Sequence, residues 1–191
     1  MKDIFKLGVI LFVICAIAAC ILGVTNNITA PVIEERNIQA NNESRKEVLQ
    51  QAEEFVEIKD VKDDLIEEVY QGKKVNEVVG YTIKATPKGY GGKIEVMVGI
   101  SNDGKISGVK VGNNSETPGL GSKSKDEPFK GQYTGKSTKT PLNVVKGNAS
   151  NENDIVAISG ATITSKAVTA GVNAAMDLFE KNLSTINGKG E

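Results

Sequence analysis

The chain has 191 residues and a formal charge of −1, from 23 Lys and Arg against 24 Asp and Glu, with no histidine, no tryptophan and two cysteines. That length fits one folded domain plus an anchor, and the near-neutral charge supplies no field to attract nucleic acid. Without histidine there is no His–Ser or His–Cys pair and none of the usual zinc, copper or haem sites, so no catalytic residue and no metal ligand is assigned.

The first 24 residues set the location. Leu7 to Val24 is an unbroken uncharged run, LGVILFVICAIAACILGV, preceded by Lys2 and Lys6. It is long enough for a transmembrane helix and longer than a usual signal-peptide core. The flanking lysines place the N-terminus in the cytoplasm and the rest of the chain outside, as a single-pass protein of the cell membrane. Ile17-Ala18-Ala19-Cys20 offers an alternative, since it matches the pattern at which lipoprotein signals are cut and lipidated at cysteine. Either route ties the chain to the lipid bilayer. Both cysteines, Cys15 and Cys20, lie in this stretch. The remainder therefore has no thiol for an iron–sulfur cluster or a disulfide, and any redox chemistry needs an imported organic cofactor.

Asn26-Asn27 and Pro31 mark the membrane interface. Val48, Ala52, Phe55 and Val56, at offsets of four, seven and eight, describe one face of a helix running to about Ile58, with Asn42 or Ser44 as its N-cap. Ile66–Tyr70 and Val78–Ala85 read as strands. Ile94 to Ile100 alternates with Ile94, Val96, Val98 and Ile100 on one face, and Asn102-Asp103-Gly104 turns the chain into a partner strand, Ile106–Val111. From about Gly112 to Asn153 the sequence is polar and aperiodic, which points to a functional loop. The last helix begins near Thr164 or Ser165 and runs to about Asn182, with Val168, Val172, Ala175, Met176 and Phe179 on one stripe. The expected architecture is α+β: a transmembrane helix, then an antiparallel-sheet domain with flanking helices. The expected division is anchor 1–24, helical connector 25–60, extracytoplasmic domain 61–182 and polar tail 183–191.

Ser159-Gly160-Ala161-Thr162-Ile163-Thr164-Ser165 joins the apolar run Ile155–Ile158 to the start of the last helix. Such a junction presents unpaired N–H groups and the positive end of the helix dipole, which suits a phosphate. Gly160 and Ala161 let a ligand come close to the backbone. By local chemistry alone, the preferred reading is the plainer one, with Thr164 or Ser165 as a simple helix cap.

This segment resembles the SGAT-type motif of the FMN-binding domain shared by the G subunit of the Rnf electron-transport complex and the C subunit of the sodium-pumping NADH:quinone reductase. Two further segments match in order: Gly89-Tyr90-Gly91-Gly92 resembles the family's GYGG turn, and Glu116-Thr117-Pro118-Gly119-Leu120-Gly121 its ETPGLG loop. The resemblance implies an FMN-binding fold and a covalent FMN, esterified through its phosphate to Thr162 by a flavin transferase that uses FAD. Thr164 is the neighbouring hydroxyl that competes as acceptor. Ser159, Gly160, Ala161, Ile163 and Thr164 would surround the phosphate, while Glu116, Thr117, Gly119 and Leu120 would lie beside the ring, with Leu120 in apolar contact, and Gly91 would be a further cofactor-binding residue. Lys146 is a weaker candidate for a charge near the phosphate or ring, and it reads more simply as a solvated lysine. Where the family often has an acid six positions before the acceptor, this chain has Val156, with Asp154 two residues earlier.

The function so implied is electron relay in a membrane complex that moves electrons between reduced ferredoxin and NAD with coupled ion transport. Its partners would be the other Rnf subunits, bearing flavin and iron–sulfur centres. The remaining alternatives are the C subunit of the quinone reductase, whose chains are generally longer, and an anchored flavin-carrying or flavin-free scaffold protein.

Overall fold

The computed structural model describes residues 2–59, 63–75 and 77–183. The chain divides into two compact units, residues 1–42 and 43–191. Helix α1, Lys2–Val48, begins in the first. Its apolar stretch has a mean hydropathy of 3.0 over 18 residues with none buried, long and apolar enough to cross a membrane. The helix runs unbroken through Asn26, Asn27 and Pro31, and the N-caps expected at Asn42 or Ser44 are not found, because both residues lie inside it. Proline's fixed φ is already helical, so it forfeits one hydrogen bond without having to end the helix. The Thr29 hydroxyl donates to the Thr25 carbonyl at 3.0 Å one turn earlier.

The second unit is built on a five-stranded antiparallel meander: β1 Glu54–Glu57, β2 Ile66–Lys74, β3 Glu77–Ala85, β4 Val96–Ser101 and β5 Ile106–Val111. The helix expected through Ile58 is overturned here. α1 ends at Val48, and Glu54–Glu57 pairs with β2 from Glu54↔Lys73 to Glu57↔Tyr70. Phe55 and Val56 are strand formers, and their helix-like spacing from Val48 and Ala52 is spanned by a turn. The boundary drawn at 60/61 falls in residues 60–62, outside the described part.

Both faces of the sheet are covered, which explains why β4 is buried at nearly every position. On one face Ile94, Val96, Val98 and Ile100 are fully buried, as their alternation requires. Across them lies helix α3, Thr162–Leu178, whose stripe of Val168, Val172, Ala175 and Met176 is buried in the same cluster. The Tyr81 and Phe179 rings meet edge to face at 5.9 Å. On the other face, the end of α1 lies directly on the strands. A Cβ on Gly99 would collide with the Val48 carbonyl, so glycine there permits the close approach, and the Ser107 hydroxyl donates to that carbonyl. Arg45 stacks over the Tyr70 ring and pairs with Glu68. The Asn102–Gly104 turn forms as expected, with Gly104 at φ +74 and the Ser101 N–H donating to the Lys105 carbonyl at 2.9 Å.

The stretch from Gly112 to Asn153 is more ordered than its composition implied. It holds a 3-10 turn at Gly121–Lys125, helix α2 Glu127–Lys130, a second 3-10 turn at Gly131–Tyr133 and strand β6 Asn143–Val145. β6 pairs in parallel with β7, Asp154–Val156. Phe129, Tyr133 and Leu142 carry this segment into the core, too widely spaced to show a period. A short π turn, Phe179–Leu183, closes α3. The polar tail assigned to 183–191 lies, beyond Leu183, outside the described residues.

Candidate functional site

The site forms where β7 ends and α3 begins. Ser159 and Gly160 make a turn, with Gly160 at φ +77. α3 then starts at Thr162, two residues before the position read from the sequence, with Ala161 as an N-cap that supplies no side-chain bond. Neither expected cap residue serves. The Ser165 hydroxyl donates to the Ala161 carbonyl and accepts the Ile158 N–H, both at 3.0 Å. The Thr164 hydroxyl donates to the Glu116 carboxylate. Ser165 is the first residue whose N–H bonds back into the helix, to Ala161, so the N–H groups of Thr162, Ile163 and Thr164 stay open to a ligand.

Glu116 joins all three motifs. Its side chain is buried and accepts the Gly91 N–H at 2.9 Å on one oxygen and the Thr164 hydroxyl on the other. The surrounding glycines make room for it, since a Cβ on Gly121 would meet both its carboxylate and Thr164. Hydrogen bonds to a carboxylate are stronger than neutral ones, so this one group holds two loops and a helix end together.

Tyr90, Glu116, Thr117, Leu120, Gly121 and the turn Gly160–Thr164 line a cleft of about 540 Å³. Three large apolar side chains, Tyr90, Leu120 and Ile163, open into it while remaining exposed. Thr162 is half-buried at its edge, and its hydroxyl has no hydrogen-bond partner among the described residues. Thr164, by contrast, is buried. Of the other residues singled out from sequence, Gly91 contributes its N–H to Glu116, and Gly119 forms the loop at φ +76. Ser159 stands at the turn outside the lining. Lys146 is exposed beyond β6 and is not brought to the cleft. Tyr90, part of the GYGG turn but not expected as a cofactor contact, also lines the cleft; an aromatic between glycines is the signal for it. At the usually acidic position, the Val156 backbone is held at both ends by the Gln132 side chain, which accepts its N–H at 2.7 Å and donates to its carbonyl at 3.2 Å. Asp154 is engaged in its own turn: the Ser150 and Asn151 N–H groups, each at 2.9 Å, hold its carboxyl below the usual carboxylate range.

The folded unit is an α+β domain in which an uncapped helix N-terminus opens onto a largely apolar cleft, the class of site that suits a phosphate-bearing ligand with an apolar part. Residues 89–177 match the model of the FMN-binding domain, and residues 1–48 that of the RnfG N-terminal region. The chain is 49% identical, over 96% of its length and 94% of the relative's, to the G subunit of the Na⁺-translocating ferredoxin:NAD⁺ oxidoreductase complex of Acetobacterium woodii. It is 36% identical, over 92% and 91%, to the G subunit of the proton-translocating ferredoxin:NAD⁺ oxidoreductase complex of Clostridium ljungdahlii. Among solved structures, NqrC of Shewanella oneidensis shares the fold at a TM-score of 0.57 and 21% identity, covering 73% of each chain. The chain belongs to the G-subunit family of ion-translocating ferredoxin:NAD⁺ oxidoreductase complexes.

The cleft fits the group this family name implies. FMN combines a phosphate with a flat ring that is apolar over its faces and dimethylbenzene end and polar at its pyrimidine edge. The open N–H groups of α3 suit the first, while Tyr90, Leu120 and Ile163 suit the second, in a volume typical of cofactor sites.

Proposed function

We propose that the chain carries FMN as a phosphoester on Thr162 and relays electrons on the extracytoplasmic side of an ion-translocating ferredoxin:NAD⁺ oxidoreductase complex. The observation that carries the attachment is the contrast between two threonines. Thr162 has a free hydroxyl at the cleft's edge, whereas Thr164 is buried with its proton given to Glu116. The first-turn N–H groups of α3 would hold the phosphate, and the helix dipole favours its charge. Tyr90, Leu120 and Ile163 would cover the ring and keep water from it. FMN supplies the capacity to accept and donate electrons one or two at a time; the protein supplies position and electrostatics. A cofactor that cannot leave suits relay between fixed partners better than turnover of free substrates.

The partners are the other subunits of the complex, with a flavin transferase acting during maturation. Lys2 and Lys6, on the N-terminal side of the apolar run, orient the N-terminus to the cytoplasm and the folded domain outward. The test is made on full-length protein produced with a flavin transferase. Its intact mass should exceed that of the bare chain by FMN minus one water, with the adduct on Thr162. Thr162→Ala should lose the adduct and keep its near-ultraviolet dichroism. No adduct on the wild type, or one on Thr164, overturns the assignment.

A further inference from the structure

The proposed attachment leaves one buried group without a part in it. Glu116 is only 7% exposed, yet both of its carboxylate oxygens are committed, to Gly91 and to Thr164. Resting on the proposed Thr162 linkage, we infer that Glu116 is a positioning residue for flavin transfer. Acting through Thr164, it holds the first turn of α3 so that Thr162 is presented as the acceptor.

The geometry gives the reason. Thr164 lies two residues past Thr162 in the opening turn, where no cap fixes the backbone. In a helix, threonine divides between two χ1 rotamers. The bond to Glu116 selects the one that turns the hydroxyl inward, and it draws this turn against the Glu116–Gly121 loop. The other oxygen of the same carboxylate holds the Gly91 loop, next to Tyr90. Both walls of the cleft and the acceptor turn are therefore set before any ligand arrives. In the transfer, Thr162 Oγ1 bonds the FMN-side phosphorus of FAD. The bond from that phosphorus to the AMP half breaks, and AMP leaves with the electron pair. The hydroxyl proton passes to a base of the transferase, and nothing is oxidised or reduced. A displacement of this kind needs the nucleophile aligned, and a misplacement of about 1 Å costs on the order of a hundredfold in rate.

The test follows covalent loading in time on the full chain in detergent, prepared without flavin, then given FAD and the transferase well below its melting temperature. Flavin fluorescence on a denaturing gel gives the rate, and fragment-ion mass spectrometry gives the position. Thr164→Val, which keeps shape and removes the hydroxyl, should load about tenfold more slowly, still on Thr162. Thr164→Ser should recover the wild-type rate. Glu116→Gln keeps an acceptor for Gly91 but turns a donor toward Thr164, and should be slow as well. The double variant Thr164→Val/Glu116→Gln should be no slower than the slower single one, since the pair acts as a unit.

Wild-type loading by Thr164→Val overturns the inference. So does a Thr164→Ser as slow as the valine variant, since a hydroxyl would then be irrelevant, and so do effects that multiply in the double variant. Flavin on Thr164 in a Thr162→Ala background also overturns it. If Glu116→Gln fails to fold, the valine and serine variants still decide. A wild type that never loads refutes the Thr162 linkage itself, which is distinguishable from a loaded wild type with an indifferent Thr164.

Discussion

Replacing Tyr90 by alanine isolates what the apolar wall contributes to holding a flavin. Tyr90 is 71% exposed in a loop fixed by Glu116, so its ring is available surface and not core. A tyrosine buries roughly 200 Å² at most, which leaves about 140 Å² open here. A flat ring lying on one face would cover roughly half of that. At about 25 cal/mol per Å² the loss is about 1.8 kcal/mol, or about twentyfold in affinity. The measurement needs the covalent bond removed, so the comparison is made in a Thr162→Ala background by titrating FMN and following its fluorescence. Tyr90→Ala should raise Kd about twentyfold, while Tyr90→Phe should stay within about threefold, because the phenol has no partner among the described residues. An alanine variant that binds as tightly as its parent would show that the ring does not lie against Tyr90.

Three further outcomes follow from the packing. Leu49 is buried against Gly72 and Gly80 on the far face of the sheet, and Leu49→Ala should destabilise by about 2–5 kcal/mol, lowering Tm by roughly 5–15 °C in thermal unfolding of the full chain. The Thr169 hydroxyl gives its proton to the Ser165 carbonyl, so the buried Tyr133 phenol must be the donor in their 2.7 Å bond. Burial raises the Tyr133 pKa, which keeps the phenol neutral, and Tyr133→Phe should cost about 1 kcal/mol by denaturant unfolding. Glu47 accepts hydrogen bonds from Lys110 and Lys130, and that from Lys110 lowers its pKa most. A depressed carboxylate pKa means stability that is present above its ordinary value of 4.5 and lost as pH falls through the lower folded value. Below about pH 4.5 the wild type should therefore lose Tm faster than Glu47→Gln, by a small margin because the pair is partly exposed.

Periodicity was readable where one face of an element decides its burial. The alternation of Ile94, Val96, Val98 and Ile100, and the α3 stripe from Val168 to Met176, both hold in the structure. It failed where burial comes from two sides or from scattered residues. Val48 and Ala52 are buried on the far face of the sheet while Phe55 and Val56 belong to its edge strand, so four apolar positions shared a helical spacing without sharing a helix. Phe129, Tyr133 and Leu142 each reach the core from a different short element, and no local rule links them. The three motif segments were legible only as a set. What binds them is Glu116, whose partners Gly91 and Thr164 lie 25 and 48 residues away in the chain, beyond the reach of any window along the sequence.

The first turn of α3 is left without a side-chain cap although hydroxyls surround it. Hydroxyls at a helix start ordinarily fold back to satisfy the first N–H groups, and the Ala-Thr-Ile-Thr-Ser run invites that reading. Here the Thr164 and Ser165 hydroxyls are turned to Glu116 and to the Ala161 carbonyl, and Ala161 supplies nothing. Leaving that turn uncapped costs a typical helix about 1 kcal/mol. Local rules are expected to be broken where function needs the broken group, and an N-terminus without a cap is an N-terminus with room for a phosphate. Glu116 therefore serves twice. It removes a hydroxyl that would compete for the open N–H groups, and it fixes the turn on which the free Thr162 stands. A capping side chain introduced in place of Ala161 should compete with the phosphate directly: Ala161→Asp should stabilise the helix start yet weaken FMN binding in the Thr162→Ala background. Unchanged FMN affinity in that variant would mean that the phosphate does not sit on the α3 N-terminus.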